Sequence, residues 1–310
     1  MPAATTSIQP VGGLDEIVAP GATPERILTG FEFVEGPAWD SRTNSLVFSD
    51  IIGDTLYRWG DKTGLDILRR PSHMANGNTW DLDGQLLSCE HATSRVSRTN
   101  IDGTYVVLAS HYQDHELNSP NDVVVRSDGR IYFTDPNSGR TRKYGVERAQ
   151  KMEFQGVFCL DPETSELILL VNDFEKPNGL CFSLDESLLY INDTDKQHIR
   201  VFDVLDDGRI DNGRLFASTN GEKPGVADGM KIDTAGTLYC CGSGGIHVFK
   251  PDGTLISVIE TPEVAANFTW GGPQLTDMYI TATHSIYRLG MKTPGIKAFA
   301  TESRATQGEE

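Results

Sequence analysis

The sequence predicts an all-β chain folded as a six-bladed β-propeller with a divalent metal ion in its central channel. The first observation is a recurring anchor, in which an oxygen-bearing side chain opens a short apolar strand. It occurs at Glu35 in FVEGPAW, Asn76 in MANGNTW, Asn121 in SPNDVVV, Asn178 in KPNGLCF, Asp228 in VADGMKI and Asn267 in AANFTWG. The second is that every anchor strand leads through a turn into another β-rich run: NSLVFSD, DGQLLSC, DGRIYFTD, ESLLYIND, AGTLYCC and TDMYITA. The third is the spacing. The anchors lie 41, 45, 57, 50 and 39 residues apart, the period expected when each unit is one blade of several strands.

Each repeat reads as anchor, inner strand, turn, second strand and outer hairpin. The hairpins carry Asp-Gly turns, as in RVSRTNIDGTYVVLAS, HIRVFDVLDDGRIDNGRLFAS and VFKPDGTLISVIE, and Asp-Gly between strand patterns is the strongest short hairpin signal. In a propeller the inner strand runs along the channel, so the first residues of all six strands are expected at one rim. Trp39, Trp80 and Trp270 fall at related offsets after their anchors and read as packing between blades, given the area aromatics bury. The longest interval contains the polar, strand-poor stretch 136–156, PNSGRTRKYGVERAQKMEFQG. A long irregular insertion in a compact domain is functional or mobile. It is expected over the channel mouth, bearing Arg140, Arg142, Lys143 and Tyr144. The expected organisation is an N-terminal tail or arm over 1–25, a single propeller domain over 26–292 and a C-terminal tail over 293–310.

Composition narrows the function. With 38% hydrophobic and 23% charged residues, the chain is an ordinary soluble globular protein. A net charge of −17 without basic runs argues against nucleic acid, which is bound through Lys and Arg clusters. No apolar run approaches the roughly 20 residues that span a bilayer, so no membrane partner is expected. The start, MPAATTSIQPVGG, has neither the basic nor the apolar region of a signal peptide. Cys89, Cys159, Cys181, Cys240 and Cys241 form no CxxC pair and read as small packing residues, which with the missing leader favours a reducing cytoplasm.

Among the anchors, Glu35, Asn121, Asn178 and Asp228 stand in EGP, SPND, KPNG and ADG. Proline stiffens the strand entry, and glycine would let the backbone approach a ligand. Two carboxylates and two amide carbonyls are hard oxygen donors suited to Ca²⁺, Mg²⁺ or Mn²⁺, and the two negative charges balance one dication. Four protein ligands leave positions open for water and substrate. Asn76, Asn267 and His73, which precedes Asn76 and would reach the mouth, are secondary candidates for contacting substrate. His91 lies near the same strand as His73, and His284 reads as a structural residue of the last blade. Glu90 and Asp122 would line the channel without being singled out by spacing. There is no GxSxG, HExxH or Walker pattern.

From about Phe31 to about Leu289 the sequence resembles the SMP-30/gluconolactonase family of six-bladed propellers. The resemblance is carried by FVEGPAW, CEHATSRVSRT, LNSPNDVVVRSDGRIYFTDP, KPNGLCFSLDESLLYIND and GVADGMKID. It implies a divalent metal held by Glu35, Asn178 and Asp228, with Asn121 contacting substrate or metal. Ca²⁺ is the first expectation, with Mg²⁺, Mn²⁺, Zn²⁺ or Fe²⁺ as alternatives. The chain departs from the pattern in three places. Ser119 stands where the animal branch has Arg, DHELNSPND carries Glu116 where bacterial members often read KRLNSPND, and TDPNSG replaces TDPPYG. The implied activity is a gluconolactonase-like hydrolase of a small-molecule lactone, in a monomer or small homo-oligomer. The metal would act as a Lewis acid on the carbonyl while water attacks, Asp228 would serve as ligand and proton acceptor, and Asn121 would orient substrate. The alternatives are hydrolysis of other lactones, esters or phosphotriesters at the same metal, and a non-catalytic propeller closed by the metal.

Overall fold

In blades 1 to 5 the chain leaves each inner strand by a short turn and builds the sheet outward in sequence order. The structure, a computed structural model, describes residues 12–298. Among these it forms six four-stranded antiparallel sheets. Blades 1 to 5 span 34–69, 75–109, 123–174, 177–218 and 230–259. Blade 6 takes its three inner strands from 265–290 and its outermost strand from the other end of the chain, where Glu25–Thr29 pairs antiparallel with Ser285–Gly290. This closes the ring without covalent linkage and hides a sheet edge that would otherwise be open. The uniform repeat plan did not anticipate this, because it assigned every blade four strands in sequence order.

Strands of a propeller are covered on both faces, and the cores reflect that. Six buried apolar clusters are present among the described residues, each spanning one pair of adjacent blades. The tryptophans act as expected. Trp39 of blade 1 stacks on Tyr279 of blade 6 with centroids 5.1 Å apart, and Trp270 of blade 6 meets Tyr239 of blade 5 edge-on at 5.0 Å. Trp80 of blade 2 lies under the Arg42 guanidinium of blade 1 at 5.0 Å. All five cysteines are buried and free. Among the described residues no helix is long and apolar enough to cross a membrane. At the chain ends, Ile17 is buried in the cluster between blades 5 and 6, and Val18 bridges to Met291. The sequence TESRATQGEE, read as a frayed terminus, lies outside the described residues.

Candidate functional site

The six anchors occupy one mouth of the channel, and the glycines after them show how closely the blades meet there. Gly36, Gly77, Gly179 and Gly229 each directly follow an anchor. A methyl group on Gly36 would run into the backbone of Asn76, on Gly77 into that of Asn121, on Gly179 into that of Asp228, and on Gly229 into Asn267. Each glycine therefore faces the anchor of the next blade. This corrects the expectation that these glycines admit a ligand to the backbone; what approaches is the neighbouring strand. Blade 3 meets blade 4 where the Leu180 backbone N–H comes close enough to the Asp122 carboxyl to favour its charged form. The circle closes where Asn267 Nδ2 donates to Glu35 Oε2 at 3.0 Å.

A second recurring device holds three anchors in place. The second strands of blades 1, 3 and 4 end in an aspartate, Asp50, Asp135 and Asp193. Each carboxylate accepts the backbone N–H groups of the residues three and two positions before the anchor. Asp50 takes Glu32 and Phe33 at 3.1 and 2.9 Å, Asp135 takes Asn118 and Ser119 at 2.7 and 2.8 Å, and Asp193 takes Glu175 and Lys176 at 2.7 and 3.2 Å. A carboxylate accepting paired N–H groups is a strong, charge-assisted clamp. These aspartates fix the approach to Glu35, Asn121 and Asn178. Their signal was present in the sequence as the endings VFSD, YFTD and YIND.

Glu35 and Asp228 meet across the mouth. Glu35 is only 3% exposed, whereas Asp228 is half-buried. The two carboxyl groups are within hydrogen-bonding reach of one another, and the Asn178 amide lies close enough to favour the charged form of Asp228. Burial raises the Glu35 carboxyl to about 7, partly countered by the Gly36 N–H at 2.5 Å, with the Asp122 charge adding to the rise. Burial and then the charge of Glu35 hold Asp228 well above the usual carboxylate range. Asp122, buried with its Oδ2 unpartnered among the described residues, is a third acid here, and burial raises it too. Lys231 is the cation whose charge opposes this cluster at both Glu35 and Asp122.

Asn178 is oriented by a short relay. The Thr194 hydroxyl donates to Ala227 O at 2.7 Å, so its oxygen accepts from Asn178 Nδ2 at 3.0 Å. This leaves Asn178 Oδ1 without a hydrogen-bond partner among the described residues, available as an oxygen donor. Asn121 is buried, its backbone joined to Thr134 O and Gly77 N at 2.8 Å each. The donor set fits a hard divalent cation on its chemistry: two mutually facing acids, without a direct ion-pair partner among the described residues, plus amide oxygens. Among the described residues no three His, Cys, Asp or Glu side chains gather in metal-binding geometry, so a cation at this mouth depends on the amides as much as on the acids.

The secondary candidates separate. Asn267 uses both ends of its amide within the protein, on Glu35 and on Phe268 N at 2.8 Å. Asn76 is buried, with Nδ2 3.1 Å from His91 Nε2. His73 packs edge-on against Tyr105 of the outer strand of its own blade at 6.0 Å. The insertion leaves the second strand of blade 3 at the anchor mouth, as expected, and Tyr144 lies on Phe33 at 5.1 Å. Arg140, however, turns inward and is buried, while Arg142 is exposed and pairs with Glu147. A cavity of about 560 Å³ opens at the opposite mouth, lined by residues such as Trp39, Trp80, Val125, Phe182, Ile232 and Trp270. Glu186 is the one acid among the described residues of its lining, whereas Glu35, Asp122 and Asp228 gather at the anchor mouth.

Comparison with known proteins agrees with this architecture. The sequence profile of the SMP-30/Gluconolactonase/LRE-like region matches residues 33–284. The chain belongs to that family. It is 29% identical over 304 residues to a gluconolactonase of Zymomonas mobilis, covering 91% of this chain and 85% of the relative. It is 26% identical over 257 residues to a pentonolactonase of Haloferax volcanii, covering 80% of each. Among solved structures, a gluconolactonase of Xanthomonas campestris superposes with a TM-score of 0.79 at 31% identity, covering 92% of this chain and 99% of that one. The profile starts at Phe33, two residues before the first anchor, and ends at His284 in blade 6, so it covers every anchor.

Proposed function

We propose that this protein is a metal-dependent lactonase acting on a sugar-acid lactone. The observation that carries the reading is the Glu35–Asp228 pair. Holding a buried and a half-buried acid against each other is unfavourable unless a proton or a cation lies between them. Glu35, Asn178 and Asp228, with Asn121, would hold one divalent cation, Ca²⁺ first among those that hard oxygen donors accept. Bound there, the cation would supply Lewis-acid activation of the ester carbonyl. The relatives named for six- and five-carbon sugar lactones support the substrate class.

The chain's own residues then divide the remaining work. Asp228, the more exposed of the two acids, accepts the proton of the attacking water. Glu35 stays buried and fixed by Gly36 and Asn267, a ligand and not a base. Asn121 orients the substrate. Asn267 takes a positioning role through its bond to Glu35. Five free, buried cysteines fit a cytoplasmic enzyme.

The test is acid release followed by pH indicator over a panel of γ- and δ-aldonolactones, simple esters and a phosphotriester, with added dication or with EDTA. Acid release from aldonolactones that EDTA abolishes and Asp228→Asn removes is the expected result. Turnover of no lactone under any dication, or turnover indifferent to EDTA and to Asp228→Asn, would overturn the reading.

A further inference from the structure

The insertion closes on one residue of the neighbouring blade. His91 directly follows the second strand of blade 2, Leu86–Glu90, and is 1% exposed. Its carbonyl accepts from Arg148 Nη2 of the insertion at 2.9 Å. Gly139 of the insertion lies so close to its ring that a methyl group there would collide with it. Its Nδ1 is 2.8 Å from the Tyr144 carbonyl, and its Nε2 is 3.1 Å from the Asn76 amide.

These contacts fix every proton in the relay. A carbonyl only accepts, so His91 Nδ1 carries hydrogen. Burial keeps the imidazole neutral, lowering its pKa to about 4, so Nε2 is a bare lone pair. The Asn76 atom facing it must therefore donate, which makes that atom Nδ2 and turns Oδ1 the other way. A carboxamide whose orientation would otherwise be ambiguous is thus assigned by its neighbours.

The insertion is itself rigidly seated. Arg140 donates to the carbonyls of Leu117, Asn118 and Ala149 at 2.5, 2.8 and 2.6 Å and to Glu116 Oε2 at 2.7 Å. Glu116 also faces Arg148 at 3.8 Å. Glu116 is one of the positions where this chain departs from the family pattern, and here it is the counter-charge of the insertion.

We propose that His91 is a positioning residue that transmits the geometry of the insertion to Asn76, presenting its Oδ1 as a fixed acceptor for a substrate hydroxyl at the channel mouth. The insertion then contributes to substrate binding through the neighbouring blade as well as by covering the site. This rests on the lactonase reading above, but it has a test that does not.

With the metal-loaded enzyme and the best lactone of the panel, His91→Phe keeps the bulk but removes both ring nitrogens. It is expected to raise KM about tenfold with little change in kcat, the effect of leaving one polar group misaligned in substrate binding. Asn76→Ala should do the same. The double variant should be no worse than Asn76→Ala alone, because the effect of His91 passes through Asn76. His91→Gln, whose amide oxygen also accepts a hydrogen bond, should recover part of the loss. Losses that multiply in the double variant would overturn the proposal. Independently of activity, ¹⁵N-histidine spectra of the full chain at pH 6 should show His91 neutral with hydrogen on Nδ1. A protonated ring, or hydrogen on Nε2, would overturn it even if lactone turnover is confirmed; failure of all lactone turnover with the expected tautomer would instead count against the functional reading.

Discussion

Replacing Glu35 by Gln should stabilise the cation-free protein while destroying its function. Gln keeps an oxygen for the Gly36 N–H and for Asn267 Nδ2 and removes only the charge. In the folded, cation-free chain the Glu35 carboxyl is raised from 4.5 to about 7. The folded pKa lies above the unfolded one, so the protonated group favours folding fully below about 4.5, and that contribution is lost as pH rises through 7. At pH 8 the wild type therefore carries a penalty of about 3 kcal/mol, which Gln lacks. For a domain of this size that is about 5 °C in melting temperature. Thermal melts in EDTA at pH 8 should place the variant above the wild type, and the gap should shrink to under about 1 kcal/mol at pH 5. Millimolar Ca²⁺ should reverse the order, because only the wild type can bind it. A variant less stable than wild type in EDTA at pH 8, or one that gains as much from Ca²⁺, would refute this account of the acid pair.

The same geometry makes three further predictions. Because Glu35 and Asp228 must both lose protons to hold a cation, the melting-temperature gain from added dication should grow from pH 5 to pH 8; a gain that falls over that range would contradict the assignment. Asp193→Ala strips the backbone N–H groups of Glu175, Lys176, Asp195 and Lys196 of a shared acceptor beneath Asn178, and should cost about 2–4 kcal/mol in urea unfolding and weaken dication binding, whereas unchanged binding would separate the clamp from the site. Gly179→Ala puts a methyl group against the Asp228 backbone and should cost about 1–3 kcal/mol through overpacking and a shift of the ring; wild-type stability and turnover would show that the blades are not so tightly apposed.

Much of this architecture is legible directly in the residues. The repeat of anchor and second strand sets the blade number, and Glu35, Asn76, Asn121, Asn178, Asp228 and Asn267 share one mouth because equivalent strand starts must. The Trp39, Trp80 and Trp270 contacts between blades match their common offset. The features that escape the sequence depend on distance in the chain or on local pairing. The closure of blade 6 by Glu25–Thr29 joins residues more than two hundred positions apart, and its amphipathic signal is weak because the strand is largely exposed. The clamps at Asp50, Asp135 and Asp193 lie at the far ends of the second strands, outside the anchor motif. The glycines after the anchors read toward a ligand because a sequence shows the neighbour in the chain, not the neighbouring blade. Arg140 looks like a mouth residue because an arginine in a polar stretch is most often solvated; its burial depends on five acceptors contributed from 94–149.

The most direct test is calorimetric titration of EDTA-stripped protein with CaCl₂, followed by lactone turnover at each occupancy. One ion should bind per chain in the wild type, with turnover rising in step, and none should bind in Glu35→Gln or Asp228→Asn. Full turnover by metal-free protein, or an ion that binds equally well when both acids have been replaced, would contradict the account.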